Sequence, residues 1–400
     1  MKAGWPNKSL NEIAVVGAGN PAPQDKLAFA DGTYPFFRTS DVGKILFGEI
    51  SSSADLLNNE GRAKLRLVPA GTILMPKSGA STFLNHRVIT TVDGYVSSHL
   101  ATITPEAEQV DRRYLLYALD RVRAQDLLPE NSYPSLNLGL IKSINIPLPP
   151  LEEQRRIVAV LDEAFEGLAR ARENTEANLA SARELFENSR ENVLNSVAES
   201  AKLDDLIEIK HGFAFKSANF RESGHYVVLT PGNYHETGGY RDRGSKQKYY
   251  SGEVPRDYLL NRGDLLVAMT EQAPGLLGSC IIVPEDDRFL HNQRLGLITR
   301  KSGTGWEVEY MYHLFNLKAF RQALSDTCSG ATVRHTSPSR IQAVTVPYTS
   351  EPSEQLALSA KIFDLQKKYE SIERHYTSTL QDLADLRQSL LRQAFAGALT

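Results

Sequence analysis

Two stretches of this chain alternate apolar and polar positions in the same way and stop at a proline. Ile141-Lys142-Ser143-Ile144-Asn145-Ile146-Pro147 is matched 200 residues on by Ile341-Gln342-Ala343-Val344-Thr345-Val346-Pro347, and each predicts a strand ending at its proline. After each proline the apolar period lengthens from two to about 3.5. In the first copy Ile157, Leu161, Ala164, Leu168, Ala171, Thr175, Asn178, Ala182, Leu185, Ser189, Val193 and Ser196 step by threes and fours. Ile362, Leu365, Tyr369, Ile372, Tyr376, Leu380, Leu383, Leu386, Leu390 and Ala394 do so in the second. The spacing predicts two helices with coiled-coil seams, each running about 40 residues without proline and therefore on the order of 60 Å long. Pro150 with Glu152 and Glu153 suits a helix start, where a missing N–H is harmless and negative charge meets the dipole.

The echo extends upstream. Leu10-Asn11-Glu12-Ile13 parallels Leu203-Asp204-Asp205-Leu206, and Pro69-Ala70-Gly71-Thr72-Ile73-Leu74 parallels Asn261-Arg262-Gly263-Asp264-Leu265-Leu266, a turn feeding a buried strand. Arg113-Tyr114-Leu115-Leu116-Tyr117 and Glu309-Tyr310-Met311-Tyr312-His313 open short helices at matching places, and Glu153-Gln154 returns as Glu354-Gln355. The order is therefore domain, helix, domain, helix, with boundaries at 1–150, 151–199, 200–349 and 350–400. A lone helix cannot bury its seam, so the two are expected to pair antiparallel and relate the halves by a pseudo-twofold axis. The fold class predicted is α+β: two similar mixed α/β domains joined by two long helices.

Composition narrows the class. With 41% hydrophobic and 23% charged residues the chain is an ordinary globular one, and no apolar run approaches the roughly 18 to 20 residues that span a bilayer. The start Met1-Lys2-Ala3-Gly4-Trp5-Pro6-Asn7-Lys8 lacks a secretory pattern, so a cytoplasmic protein is expected. Cys280 and Cys328 either pair or stay free, free thiols being the expectation, and neither has zinc-ligand spacing. A net charge of -3 argues against binding nucleic acid by bulk electrostatics, so any DNA reading must use local patches or basic partners.

Val15-Val16-Gly17-Ala18-Gly19-Asn20-Pro21-Ala22 spells a dinucleotide fingerprint, with Asp41 near the acidic spacing. Pro21 and Pro23 read as loop where that motif needs a helix, and Ile209-Lys210-His211-Gly212-Phe213 has a single glycine at the matching place, so a strand-to-loop turn is the better reading. Asp205 with Glu208-Ile209-Lys210 is too compressed for a metal-dependent nuclease. The chain has no phosphate-binding loop, nucleophile elbow or H-E-x-x-H. The segment Tyr240-Arg241-Asp242-Arg243-Gly244-Ser245-Lys246-Gln247-Lys248-Tyr249-Tyr250 is more informative: its Arg and Lys can contact phosphates or guanine, and a solvated hairpin is the plainer alternative. Polar loops leading into strands supply the other candidates: Arg38, Thr39 and Ser40; Lys77 and Ser78; His99; Gln293 and Arg294. Each is equally compatible with ordinary turn chemistry.

Over essentially its whole length the chain resembles the specificity subunit of type I restriction–modification systems. The most specific match is Ile146-Pro147-Leu148-Pro149-Pro150-Leu151-Glu152-Glu153-Gln154-Arg155-Arg156-Ile157, which looks like the start of that family's central helix. Ile209-Lys210-His211-Gly212-Phe213-Ala214-Phe215-Lys216-Ser217 is similar to the opening of a target recognition domain, and Trp5-Pro6 with Leu10-Asn11-Glu12-Ile13 fits the first such domain. Tyr348-Thr349-Ser350-Glu351-Pro352-Ser353 departs from the pattern by losing the double proline. The resemblance implies a non-catalytic reader of a split asymmetric DNA site, with two methyltransferase subunits docked along helices and domains and translocating nuclease subunits joining for cleavage. It implies partner contacts at Pro149, Pro150, Glu153, Gln154, Glu354 and Gln355, and S-adenosylmethionine, ATP and magnesium sites in the partners rather than in this chain. The alternatives are a coiled-coil scaffold for proteins and the specificity part of a fused, type II-like restriction–methyltransferase.

Overall fold

The computed structural model describes residues 5–129, 133–272, 275–330 and 333–398; Met1 to Gly4 of the leader reading lie outside it. The chain divides into two compact units, Met1–Glu176 with Ser378–Thr400, and Ala177–Thr377. These cuts differ from the boundaries expected from sequence, because each unit takes a recognition domain together with part of both long helices.

In chain order the first unit holds β1 (Asn7–Ser9), α1 (Leu10–Ile13), β2 (Ala14–Ala18), β3 (Tyr34–Phe37), α2 (Thr39–Ile45), β4 (Phe47–Ile50), β5 (Asp55–Leu57) and α3 (Asn59–Arg62). It continues with β6 (Ile73–Pro76), β7 (Arg87–Thr90), β8 (Tyr95–Val96), β9 (Leu100–Pro105), α4 (Arg112–Asp120), α5 (Leu138–Lys142), β10 (Asn145–Pro147) and the start of α6 (Leu151–Asn195). A five-stranded sheet is ordered β2-β9-β6-β7-β4, a small sheet β5-β3-β8, and β10 pairs antiparallel with β1, so the echoed proline strand closes the domain onto its own beginning.

The second unit repeats the plan after α6: β11 (Ser200–Lys202), α7 (Leu203–Leu206), β12 (Ile207–His211), β13 (Phe220–Arg221), β14 (Tyr226–Val228), β15 (Tyr249–Tyr250), β16 (Leu265–Ala268) and β17 (Thr270–Glu271). Then come β18 (Cys280–Ile282), β19 (Phe289–Leu290), β20 (Leu295–Arg300), α8 (Val308–Phe315), α9 (Lys318–Thr327), β21 (Arg334–His335), α10 (Pro338–Gln342), β22 (Thr345–Pro347) and the start of α11 (Pro352–Phe395). The sheets are β12-β20-β16-β18 and β13-β15-β14-β19, and β22 closes on β11. The same tyrosine locks both closures: Tyr114 donates its hydroxyl to the Pro147 carbonyl at 2.6 Å, and Tyr310 donates to Pro347 at 3.1 Å.

Each long helix is continuous, 45 residues for α6 and 44 for α11. In the first unit Ile157 and Leu161, near the start of α6, share one core with Leu391, Ala394 and Phe395, near the end of α11. In the second, Leu194 near the end of α6 shares a core with Leu358 and Ile362 near the start of α11, and Phe186 stacks on Tyr369 at 5.3 Å. Within each unit the helices therefore run antiparallel, as their seams predict, and the α+β class of two similar domains joined by long paired helices is the one observed.

The seams themselves need correction. Leu185 is 68% exposed, Ile372 42% and Leu386 48%, while Asn178 and Ser196 also face outward. Phe186, Arg190 and Leu194 turn inward on α6, and Arg387 and Leu391 do so on α11. A straight helix of 3.6 residues per turn drifts about 20° per heptad from a strict 3.5 repeat. Three heptads beyond Ile157 that drift has carried Asn178 off the buried face. The steps were right at the helix starts and wrong by one residue at Leu185 and Leu386.

Gly19 is resolved by the fold. A Cβ there would lie 2.1 Å from the Val96 carbonyl oxygen, and one on Gly212 would lie 2.2 Å from that of Asn292. Both glycines permit a close backbone crossing at the end of β2 or β12, which accounts for the glycine without a cofactor. No helix of the described residues is long and apolar enough to cross a membrane, and both cysteines are free.

Candidate nucleic-acid interface

Strand pairing brings distant polar loops of the first unit to one edge. β3 and β8 run parallel with Phe37 opposite Val96, so both chains leave their sheet on the same side, and Ser97 N–H donates to the Phe37 carbonyl at 2.9 Å. Asn20 joins them, because Asn20 bridges Ser97 and its carbonyl accepts from Ser98 N–H at 2.8 Å. The end of β6 lies opposite the start of β9, which lets Lys77 N–H donate to the His99 carbonyl at 3.0 Å. Ser78 then bridges Ser135. Arg38 to Ser40, Lys77, Ser78 and His99, read from three separate stretches of sequence, thus belong to one edge, and Asn20, Tyr133 and Ser135 join it without having been foreseen.

The side chains on this edge are partly committed. Ser78 Oγ and His99 Nδ1 are 2.8 Å apart. Arg38 pairs with Asp55 and lies over the rings of Phe36 at 5.1 Å and Phe29 at 5.8 Å, while the buried Asp41 accepts from Arg38 N–H at 2.9 Å and Ala54 N–H at 3.1 Å. The stretch Arg38 to Asp41 is therefore a braced turn that opens α2 and still leaves Ser40 exposed. Tyr133 is 75% exposed.

The second unit builds the corresponding edge with different chemistry. β14 runs parallel to β19 with Val228 opposite Leu290. Phe213 bridges Asn292, and Met269 N–H donates to the Arg294 carbonyl at 3.0 Å. Gln293 and Arg294 are both exposed there. The edge is extended by β17 and β21, which pair Thr270 with His335 and Glu271 with Arg334. Glu271 is buried, accepts the N–H groups of Gly275, Leu276 and Leu277 at 2.8–2.9 Å, and pairs with Arg334, tying two loops together. His291, directly before Asn292, is fully buried; burial pushes its pKa down to about 4, so it is neutral near pH 7.

The basic segment is not the hairpin its sequence suggests. Tyr240 makes one bridge to Tyr234, whereas Tyr249 and Tyr250 pair with β14 and β13. Between them the loop closes around the buried Gln247, whose Oε1 accepts from Asn233 Nδ2 at 3.0 Å and from Arg243 N–H at 3.2 Å. A buried amide organises this turn, which strand periodicity does not register. Lys246 and Lys248 are exposed, with Lys248 Nζ 5.5 Å from the Phe220 ring centre. Arg243 packs over Gly232, and Arg241 lines a cleft of about 590 Å³ with Arg183, Arg190 and Tyr369 of the long helices.

Two of the residues expected to meet partners lie inside their own units. Gln154 and Gln355 are 0% exposed and fully engaged inside their own units. Gln154 accepts from Asp111 N–H at 2.8 Å and donates to the carbonyls of Gln109 at 3.0 Å and Pro149 at 2.8 Å. Gln355 accepts from Glu307 N–H at 2.7 Å and donates to the Thr349 carbonyl at 2.7 Å. The repeated glutamine pins each long helix to the loop preceding α4 or α8. Pro149 and Glu153 are also buried, leaving Pro150 and Glu354 exposed at the helix starts. Pro352 occupies the first position of α11 and so takes over the role of Pro150 beside α6.

Among the described residues no three His, Cys, Asp or Glu side chains come together to hold a metal ion. Lys210 of the compressed acidic motif donates to the Asp257 carbonyl at 2.9 Å and sits over the Tyr258 ring at 4.8 Å. The two units thus define a protein built as one mixed α/β domain written twice, each copy with a polar loop edge.

The family model described as "Type I restriction modification DNA specificity domain" matches residues 2–178 and again 195–379, and the chain belongs to that family, with one copy for each half. Among curated relatives, the specificity subunit of the type I restriction enzyme EcoBI from Escherichia coli is 28% identical over 200 residues, 50% of this chain and 38% of that protein. The MjaVIII specificity subunit of Methanocaldococcus jannaschii is 23% identical over 265 residues, 59% of each chain. The chain thus spans under two thirds of either relative. Its fold matches a chain solved in a study of complex assembly and conformational transition of the type I R-M system, with a TM-score of 0.78 at 18% identity, covering 100% of this chain and 99% of that one. It also matches the HsdS subunit from Thermoanaerobacter tengcongensis, with a TM-score of 0.54 at 18% identity, covering 100% and 98%.

Proposed function

We propose that this chain, as a type I specificity subunit, reads a bipartite and asymmetric site in double-stranded DNA, one half-site per unit, and has no active centre of its own. The observation that carries the reading is the convergence of separate loops on one edge of each unit, with unequal side chains: Ser78, His99 and Tyr133 in the first, Phe213, Gln293 and Arg294 in the second, which also carries the exposed lysines of the basic loop. A common frame with different edges suits two different half-sites. Arg and Gln are side chains that read guanine and adenine edges, while lysines hold phosphates.

The net charge of -3 fits a reader that shares phosphate contacts with other subunits. Two methyltransferase subunits would dock along the long helices and the domains, near Pro150 and Glu354, and restriction translocase–nuclease subunits would join for cleavage. S-adenosylmethionine, ATP and magnesium belong in this reading to those partners.

The test is substitution of Lys246 and Lys248 by alanine in the assembled methyltransferase. Modified adenines are mapped and affinity is measured against salt. The expected result is a salt slope reduced by about 0.9 for each lost phosphate contact, with any change of sequence preference confined to one half-site. Changes in both half-sites, or in neither slope nor preference, overturn the assignment.

A further inference from the structure

The aromatic ring of Phe213 stands out on an otherwise polar edge. It is 36% exposed, and its backbone is clamped on both sides: Phe213 N–H donates to the His291 carbonyl at 2.8 Å, and its own carbonyl accepts from Gln293 N–H at 3.1 Å. The clamp depends on Gly212, where a Cβ would lie 2.2 Å from the Asn292 carbonyl oxygen. Behind the ring stand Phe215, edge-on at 5.1 Å, and Tyr258, tilted at 5.3 Å. Such a ring is already ordered, so a contact made by it costs little further conformational entropy.

Its neighbours indicate what it meets. Gln293 and Arg294 are exposed in the adjoining loop, and Lys210 lies beside Tyr258. An apolar ring set among donors that suit base edges and phosphates matches one feature of the major groove, the C5-methyl group of thymine. The first unit contrasts at the same place. Asn20 bridges Ser97 as Phe213 bridges Asn292, and Asn20 spends its side-chain oxygen on the Arg66 N–H at 3.0 Å. At this position the second unit presents a ring and the first a committed amide.

Resting on the DNA-reading function proposed above, we infer that Phe213 is a specificity-determining residue that packs against a thymine methyl in the half-site read by the second unit. The wedge alternative, in which an aromatic side chain unstacks a base step, is an outcome of the same test.

The experiment uses the chain assembled with its methyltransferase subunits and duplexes carrying the mapped site. Each thymine of the second unit's half-site is replaced in turn by deoxyuridine, which lacks only the methyl group. For the unaltered chain one such replacement is expected to weaken binding roughly 5-fold, the order of one buried methyl in a base contact. Phe213→Ala should bind the thymine duplex about 10-fold more weakly and be indifferent to that replacement, while Phe213→Leu keeps most of the discrimination. Unchanged selectivity for the first half-site shows that the variants fold.

An unchanged thymine-to-uracil ratio in Phe213→Ala overturns the inference, as does a second half-site without any A·T pair. So does a 2-aminopurine signal of unstacking that disappears in Phe213→Ala while the ratio stays at one. If the unaltered assembly does not distinguish its mapped site from a scrambled duplex, the DNA-reading function fails with it; selective binding with an unchanged ratio removes Phe213 alone.

Discussion

The guanidinium of Arg387 donates to Asp120 at 2.7 Å and lies over two rings, 5.0 Å from the centre of Phe47 and 4.8 Å from that of Phe165. The contact ties the end of α11 to α4 and to the start of α6 within the first unit. In the second unit Arg190 holds the corresponding place, but Asn316 stands where Asp120 did, so Arg190 donates to the Asn316 carbonyl at 2.7 Å. The Asn316 amide is turned instead to Cys280, accepting from its N–H at 3.1 Å. One frame thus carries an ion pair in the first copy and a guanidinium–carbonyl hydrogen bond in the second.

Arg387→Ala removes a partly buried ion pair and two ring contacts while leaving Asp120, only 14% exposed, short of a partner. The first unit should lose about 2–4 kcal/mol. Arg387→Lys should recover less than half of this, since an ammonium lacks the planar fork that stacks and pairs together. Denaturant unfolding with amide exchange on α4 reads the effect. Equal loss of protection in both units would show that Arg387 does not act locally.

Gln154→Ala and Gln355→Ala test the helix anchors. Each leaves a half-buried backbone N–H and at least one carbonyl without the amide they now bond, which should cost about 1–3 kcal/mol in the unit concerned. Exposed Pro150 and Glu354 should behave oppositely: Pro150→Ala and Glu354→Gln should shift stability by under about 0.5 kcal/mol and show any effect in assembly with methyltransferase. Thermal unfolding beside a titration of complex formation separates the two. A fully stable Gln154→Ala protein that fails to assemble would return the glutamine to the partner interface.

These positions show what a single sequence reveals. The echo of Glu153-Gln154 in Glu354-Gln355 was visible, yet a glutamine that anchors its own helix and one that meets a partner are spelled alike; only the loop folding back at Asp111 and Glu307 separates them. The seam was legible near Ile157 and Ile362, where the domains fix the helix face, and failed at Leu185 and Leu386, where period drift had accumulated. The edges were the least legible. Asn20, Ser78, His99 and Ser135 meet only because β2, β6, β8 and β9 are paired as they are, and nothing local encodes that. Phe213 did carry a signal, a glycine followed by an aromatic residue where the first copy has glycine and asparagine.

Acid should open the second unit first. Burial lowers the pKa of both His291 and His313 to about 4, against an ordinary histidine value of 6.5. Folding therefore favours the neutral ring, and the stability this brings is complete above about pH 6.5 and drains as the pH falls toward 4. By pH 5 each histidine should have withdrawn about 2 kcal/mol. Urea midpoints for the second unit at pH 7.5 and pH 5 measure it, and His313→Leu should remove its share of the difference. Identical midpoints would show that neither ring is kept neutral by the fold.

α6 and α11 each contribute to both units, and over Leu151–Asn195 and Pro352–Phe395 neither is interrupted. If the units read separate half-sites, the unread gap follows helix length. Four residues inserted into each helix add about 6 Å, or between one and two base pairs at roughly 3.4 Å each. The insertion also rotates the following turns by about 40° on a 3.6-residue helix. It should therefore be compared with an insertion of eighteen residues, which restores phase and adds about 27 Å, close to eight base pairs. Mapping modified adenines in DNA modified by each variant gives the gap directly. Unchanged half-sites separated by a longer gap are the expected result, whereas an unchanged gap would mean that the partner subunits, rather than these helices, set the distance.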